Sequence, residues 1–480
     1  MNPMIALFQT PNNNYFFDAN KDEMISISYE SYQYLNDIQK GNDISKAEVP
    51  GELSELMEKG YLKSESVVKE IRHVYTDYLK IFLERKVPKI TLQVTQDCNL
   101  RCKYCIYSEE HSQGQRSHST KTMSWESAKR AIDFLREHSV DSPNVNVGLY
   151  GGEPLLEFDL VKKIVEYSKE CFEGKELTFN MTTNGTLLTD EMILYLEKQE
   201  VTLMISLDGP KEINDRNRVF ADGSGSFDKV AEGISRIKEI APNYAGRLHI
   251  SMVIDPENDF DCINEICLSG SEIQNLFISP NMVEQEYGDR NLQFSSDYIW
   301  KMEYQSFLAM LSNYVRYPEK NVSPIANRGV LQAIDESTKC CNGAALREID
   351  VPSGPCIPGQ MRLFINVDGL FFPCERVSEK SPAMCIGSLD NGFNLENAKN
   401  VLNIGLLTKE ECVKCWCFRH CSLCAKMAED EHGQLSAEAK LSNCEESKNR
   451  AYQKMEQYLL FKEIPRYYPQ QVSKNEEDLR

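Results

Sequence analysis

Long apolar runs are missing from this 480-residue chain. No stretch approaches the ~20 apolar residues that span a bilayer, and residues 1–10 lack the basic flank and apolar core of a secretory signal. Basic charge is also scarce: 53 Lys and Arg stand against 73 Asp and Glu, for a formal charge of −20. A nucleic-acid partner calls for clustered positive charge, so this balance argues against one. Neither internal repeats nor low-complexity segments are evident. The expectation is a cytoplasmic protein with no membrane and no nucleic-acid partner. Disulfides are rare in that compartment, yet cysteine is plentiful, at 17 residues. Metal ligation is the better default for so many thiols.

Length and composition, with 41% hydrophobic and 26% charged residues, suit a soluble chain of about three domains at roughly 150 residues each. Residues 1–80 read as a small module. Strands are expected at 4–8, 15–17 and 24–28, then short helices at 29–38 and 52–59, the second stopped by Gly60. That order outlines a winged helix. Its 13 acidic and 8 basic residues disfavour DNA. An exposed edge that takes an extended peptide by strand addition fits better, and a plain N-terminal cap is the alternative.

Residues 81–330 alternate strand and helix patterns. Strands are expected at 89–95, 146–150, 177–183, 202–207, 248–254 and 275–279, and helices near 124–138, 157–170, 189–199, 226–240 and 260–268. Such alternation implies an α/β fold with a parallel sheet, and six units imply a partial (β/α)6 barrel of TIM type rather than a closed eight. Ser124 and Thr189 are placed as helix N-caps. A helix near 295–316 leads to a cysteine-rich region at 331–445, and 446–480 read as a helix with a charged tail.

Three cysteines crowd one short loop, Cys98-Asn-Leu-Arg-Cys102-Lys-Tyr104-Cys105, just past the strand in which Ile90, Leu92 and Val94 alternate. Three thiolates so placed suit a 4Fe–4S cluster left one protein ligand short, whose fourth iron binds a small molecule. Parallel α/β folds put their chemistry past strand ends. Three further strand ends are polar or glycine-rich. The first is Gly151-Gly152-Glu153-Pro154, which can receive an ammonium through backbone carbonyls and the carboxylate. The others are Thr182-Thr183-Asn184-Gly185 and Ser206-Leu207-Asp208-Gly209-Pro210. Each alone reads equally well as a turn; together on one rim they mark a site.

Over most of residues 88–445 these features resemble the radical S-adenosylmethionine (SAM) enzymes. The resemblance implies that Cys98, Cys102 and Cys105 ligate a cluster whose open iron is chelated by the SAM amino and carboxylate groups. Reduction then cleaves the sulfonium to a 5′-deoxyadenosyl radical that abstracts hydrogen from an inert C–H bond. It also implies that Tyr104 packs on the adenine and that Gly151, Gly152 and Glu153 meet the amino group. Asn184, Ser206 and Asp208 would supply ribose and carboxylate contacts. The methionine carboxylate would pair with Arg218, with Arg216 the alternative, because Asn214-Asp215-Arg216-Asn217-Arg218 stands where His-Asp-x-x-Arg is common.

Further on come Cys356-x12-Gly369-x4-Cys374, then Cys412-x2-Cys415-x5-Cys421-x2-Cys424, and Cys444. This resembles the SPASM extension, which carries two auxiliary 4Fe–4S clusters, although two residues separate Cys421 from Cys424 where three are usual. The resemblance implies an outer cluster on Cys412, Cys415, Cys421 and Cys444. It implies an inner one on Cys356, Cys374 and Cys424, with Cys340 or Cys341 as a possible fourth ligand. Should neither bind, an open iron there can accept a substrate thiolate. Cys417 is an extra thiol. Zinc is the competing reading, but a lone knuckle leaves Cys356, Cys374 and Cys444 unexplained. Cys171, Cys262 and Cys267 read as packing residues. His111 and His118 read as solvated loop residues. Asp255, Glu284 and Glu286 either line a substrate cavity or face solvent.

The combination resembles maturases of ribosomally made peptides. Within that group, residues 353–359 and 415–424 are similar to thioether-forming enzymes of the ranthipeptide and sactipeptide type. That resemblance implies SAM and three 4Fe–4S clusters as cofactors. The implied partners are a cysteine-rich precursor peptide, with its leader on residues 1–80, and a low-potential donor such as flavodoxin or ferredoxin. Two alternatives stay open: oxidation of a Cys or Ser side chain in the manner of sulfatase maturases, and a non-enzymatic iron–sulfur peptide-binding protein.

Overall fold

The computed structural model describes residues 2–43, 48–105, 107, 116, 118–268, 273, 276–283, 293–315, 317–318, 322–352 and 354–467. At the N-terminus β1 (Ile5–Gln9), β2 (Asn14–Asp18) and β3 (Glu23–Ile27) form an antiparallel meander in chain order. The helices Tyr29–Lys40 and Gly51–Glu58 follow. Ser28 caps the first by accepting from the Ser31 N–H, and Gly41 ends it in the left-handed conformation at φ 72°. One face of the sheet, with Ile5, Leu7, Phe16 and Ile27, packs on Leu35 and Leu53 of these helices.

The other face, with Ala6, Phe8, Tyr15, Phe17 and Met24, packs on Cys340 and on Met455 and Leu459 of the helix Cys444–Tyr467. A sheet covered on both sides needs apolar residues at every position, which is why β1 and β2 show runs instead of alternation. Polar ties secure the docking. Tyr452 Oη donates to the Leu7 carbonyl at 2.9 Å, and the buried Glu463 accepts from Thr10, Asn13 and Tyr15 at 3.0, 2.8 and 2.6 Å.

After the short β4 (Glu70–Ile71) come six longer strands. They are β5 (Lys89–Thr95), β6 (Asn144–Gly151), β7 (Glu176–Thr183), β8 (Val201–Ser206), β9 (His249–Ile254) and β10 (Phe277–Met282). All six are parallel and adjacent in chain order, as an open barrel requires. Five helices cover the outside: Trp125–His138, Phe158–Cys171, Asp190–Lys198, Phe227–Ile240 and Phe260–Leu268. Ser124 and Thr189 cap as expected, accepting from Ser127 N and Met192 N at 3.0 and 3.3 Å. Ile90, Leu92, Val147, Leu149, Leu203, Ile205 and Ile250 form the buried layer between strands and helices.

The cysteine-rich region extends the same sheet. Its first strand, β11 (Ile349–Asp350), pairs with β4 instead. β12 (Phe364–Ile365) pairs parallel with β5, and β13 (Leu370–Phe372), β14 (Gly387–Ser388) and β15 (Gly392–Phe393) continue antiparallel, making ten strands. The boundaries expected at 80/81, 330/331 and 445/446 each fall inside a helix: Leu79–Arg85, Pro324–Thr338 and Cys444–Tyr467. Changes in composition mark where cysteines begin and end, whereas the chain crosses each junction in continuous helix. Among the described residues no helix is long and apolar enough to cross a membrane.

Candidate functional site

The loop after β5 is pinned at both ends. Arg101 N donates to the Val219 carbonyl at 2.7 Å and Lys103 N to that of Asn217 at 3.0 Å. Cys98, Cys102 and Cys105 are thereby gathered, so that a charge on Cys105 acts on both of the others and one on Cys98 acts on Cys102. Burial pushes the Cys98 thiol up to about 11 and Cys102 up to about 12, while Arg218 pulls all three down. Thiolates are the ligating form, so metal binding reverses this and releases protons.

The glycine loop after β6 lies directly on the cysteine loop. A Cβ on Gly151 would sit 2.2 Å from the Thr95 carbonyl oxygen and one on Gly152 1.9 Å from that of Asp97. Gly151 also has φ 143°, which L residues avoid. Gly152 N and Glu153 N donate to those same two carbonyls, each at 2.8 Å. The Glu153 carboxylate is fully buried and takes Leu155 N at 2.9 Å, Thr183 Oγ1 at 2.7 Å and Asn184 N at 2.7 Å. It ties the ends of β6 and β7 together. Asn184 passes the order on, donating to Asn99 Oδ1 at 2.7 Å with Cys98 Sγ at 3.9 Å. Ser206, half-buried, ends β8 opposite Ser251 of β9.

Tyr104, expected against an adenine, uses its hydroxyl to bridge two charged groups. It donates to Asp208 Oδ2 at 2.5 Å and accepts from Arg218 Nη1 at 2.8 Å. Asp208 also accepts from Val253 N at 3.1 Å. Arg218 is 7% exposed, and its Nε has no hydrogen-bond partner. Arg216 is turned away to Asn258. A buried cation with an orphaned donor, beside three thiols, has the chemistry to meet a ligand carboxylate, and Arg218 rather than Arg216 is the arginine so placed. Replacing Arg218 with Met is expected to weaken SAM binding about 10–100-fold, the cost of a lost charge-assisted hydrogen bond. Equilibrium dialysis checks this, and unchanged affinity would remove Arg218 from the ligand.

Two site residues escaped the sequence reading. Arg116 Nε lies 3.0 Å from Glu379 Oε1, both side chains nearly inaccessible, and the guanidinium sits 3.7 Å over the Tyr107 ring. Glu379 also accepts from Gln93 at 2.6 Å and Asn366 at 3.2 Å. The pair joins the cysteine loop to the C-terminal region, and nothing in the sequence links positions so far apart. Glu379→Ala leaves Arg116 buried without its counter-charge and is expected to cost about 3–5 kcal/mol. A large fall in thermal midpoint would show it, with Glu379→Gln falling less. His118, expected in solvent, instead places Nε2 3.8 Å from Cys105 Sγ, and burial with help from Arg101 and Arg116 depresses its pKa to about 4. Asp255 is buried and accepts from Asn217 at 3.3 Å. His111, Glu284 and Glu286 lie outside the described residues.

The C-terminal cysteines fall into three groups. Cys374 and Cys356 each act electrostatically on or with Cys424. Gly354 makes that possible, since a Cβ there would strike the Leu423 carbonyl at 2.7 Å. Cys412, Cys415, Cys421 and Cys444 act on one another likewise. Cys417 is buried among them but aims its thiol at the Ser447 carbonyl, 3.9 Å away. Cys340 and Cys341 form a pair. Their sulfurs lie 3.4 Å apart beneath the N-terminal sheet, with Asp22 and His420 as neighbours. The chain after Pro324–Thr338 packs on β1 and β2, which sets both thiols at that face. Cys385, which the sequence reading passed over, is half-buried with its thiol 3.5 Å from the Gly387 carbonyl. Cys267 is buried in the main core, and Cys171 and Cys262 pack against it. No three Cys, His, Asp or Glu side chains among the described residues converge on a single-ion site.

Residues 92–266 match the Radical SAM superfamily, so the chain carries a radical SAM domain. Over a longer span it is similar to the radical SAM cyclopropyl synthase TigE of Paramaledivibacter caminithermalis, 23% identical across 432 residues, or 86% of this chain and 83% of that one. It is also similar to the cysteine-type anaerobic sulfatase-maturating enzyme of Clostridium perfringens, 25% identical across 353 residues, or 70% and 88% of the two chains. The solved structure of native anSMEcpe with bound AdoMet superposes with a TM-score of 0.54 at 19% identity, covering 80% of this chain and 99% of that one, so the fold is shared. The groups such a domain uses are SAM and a 4Fe–4S cluster. Three gathered thiols and the orphaned Nε of Arg218 fit both.

Proposed function

We propose that this radical SAM enzyme matures a ribosomally made, cysteine-rich peptide by forming bonds from Cys sulfur to carbon. The observation that carries the reading is the inner cysteine set. It has three thiols, Cys356 exposed among them, while Cys340 and Cys341 pair with each other beneath the N-terminal sheet. A group held by three thiols keeps a position for a thiol of the substrate.

The leader has a place to dock. β3 is an edge strand, and ladder alternation turns the N–H and C=O of Met24 and Ser26 away from β2. Nearby, Tyr29 and Met57 are exposed. A leader strand added there would gain main-chain hydrogen bonds and hold the core peptide at high local concentration. When bound, SAM and the reduced cluster supply a 5′-deoxyadenosyl radical able to take hydrogen from an unactivated carbon. The chain's own part is to hold and orient. Cys98, Cys102 and Cys105 would hold the cluster and Arg218 would pair with the methionine carboxylate, while Glu153 and Asn184 tie the rim together. A low-potential donor such as flavodoxin or ferredoxin supplies the electron.

Anaerobic co-expression with a cysteine-rich precursor tests this. Mass spectrometry is expected to show two hydrogens lost per crosslink, with one fewer thiol open to alkylation for each. The similarity to TigE favours a second reading, ring closure between carbons. It would also lose two hydrogens but leave every thiol alkylatable. Loss of sulfur without a crosslink would instead favour the sulfatase-maturase type of oxidation.

A further inference from the structure

Lys440, on the short helix Ala437–Ser442, is 1% exposed. Lysine is almost never so buried without an anion to pair with. Its ammonium donates to Thr408 Oγ1 at 2.6 Å and to Cys412 Sγ at 3.3 Å, and Thr408 Oγ1 is itself 3.2 Å from that sulfur. Among the described residues no carboxylate reaches it. A neutral thiol is a weak acceptor and cannot balance a desolvated cation. A metal-bound thiolate can. The same residue also touches a second member of the outer set, because Cys444 Sγ lies 3.7 Å from the Lys440 carbonyl.

We propose that Lys440 is a positioning residue of the outer cluster: its buried ammonium is the counter-ion of the Cys412 thiolate and raises that cluster's reduction potential. The inference rests on the reading that Cys412, Cys415, Cys421 and Cys444 hold a cluster. A hydrogen bond to a cluster sulfur is an established lever on potential, and a nearby cation is another, favouring the reduced state because that state carries one more negative charge. Here both levers come from one side chain, while Thr408 fixes the ammonium's direction.

The test uses full-length protein with Cys98, Cys102 and Cys105 replaced by Ala, so that only auxiliary iron remains. Iron content and an EPR-monitored redox titration are compared for this background and for added Lys440→Met or Lys440→Arg. The expected result is unchanged iron, one signal moved to lower potential by Met, and that signal nearly restored by Arg. Lys440→Gln replaces Met if the latter does not fold. Iron retained with potentials unmoved by Met would overturn the inference alone, even if the variant melts earlier, since a purely structural lysine does that. A background free of iron would overturn both the auxiliary-cluster reading and this inference.

Discussion

Replacing Cys98, Cys102 and Cys105 together with Ala is expected to reduce SAM cleavage by dithionite-reduced protein to background. The three thiols lie in one another's field on a loop pinned to residues 217–219, and no other cysteine among the described residues joins them. The loss should exceed that from Asn184→Ala, which removes the hydrogen bond to Asn99 beside Cys98 and those accepted from Thr186 but leaves all three thiols in place. An outer partner of that kind typically costs about 10–100-fold. Quantifying 5′-deoxyadenosine by chromatography checks both. Cleavage surviving in the triple variant would mean the cluster is held elsewhere.

Ser26→Pro is expected to cut peptide conversion about 10²–10⁴-fold at low peptide concentration while sparing SAM cleavage without peptide, because tethering by a leader gives gains of that size. Ser26 is exposed, and its N–H points away from β2, so proline removes an edge donor and leaves the internal ladder intact. Deleting residues 1–80 would not answer the question. It would strip Phe8, Phe17 and Met24 from Met455, Leu459 and Cys340 and uncover a buried apolar face. Conversion by Ser26→Pro at the normal rate would place the leader elsewhere.

Much of the barrel was legible because its strands and helices carry their own periods. Lys89–Thr95 was expected at those bounds, and the next four strands began and ended within two residues of expectation. The last, Phe277–Met282, lies further along than expected, because Pro280 and Asn281 look like a strand's end until pairing with β9 holds them in the ladder. The first cysteine set was legible because its members share one loop. What distant partners decide was not. That Thr183 and Asn184 both engage the Glu153 carboxylate could not be read from the two glycines before it, because β7 brings them alongside only in the folded sheet. His118 looked solvated because its neighbours in sequence are polar, yet folding set it beside Cys105.

Residue identity and spacing alone determined that the chain alternates strand and helix, that three thiols end the first barrel strand, and that a second dense group of cysteines follows. Such features depend on contacts within a few residues, where bond geometry limits the choices. Tertiary structure decided the rest. It put Arg218 and not Arg216 at the thiols, turned Cys340 and Cys341 toward the N-terminal sheet, paired Arg116 with Glu379, and buried Lys440 against Cys412. Each of those choices brings together residues remote in sequence or turns one neighbour in and the other out. The cost of desolvating a charge or opening a gap in the core makes the choice, and that cost exists only once the chain has closed around the site.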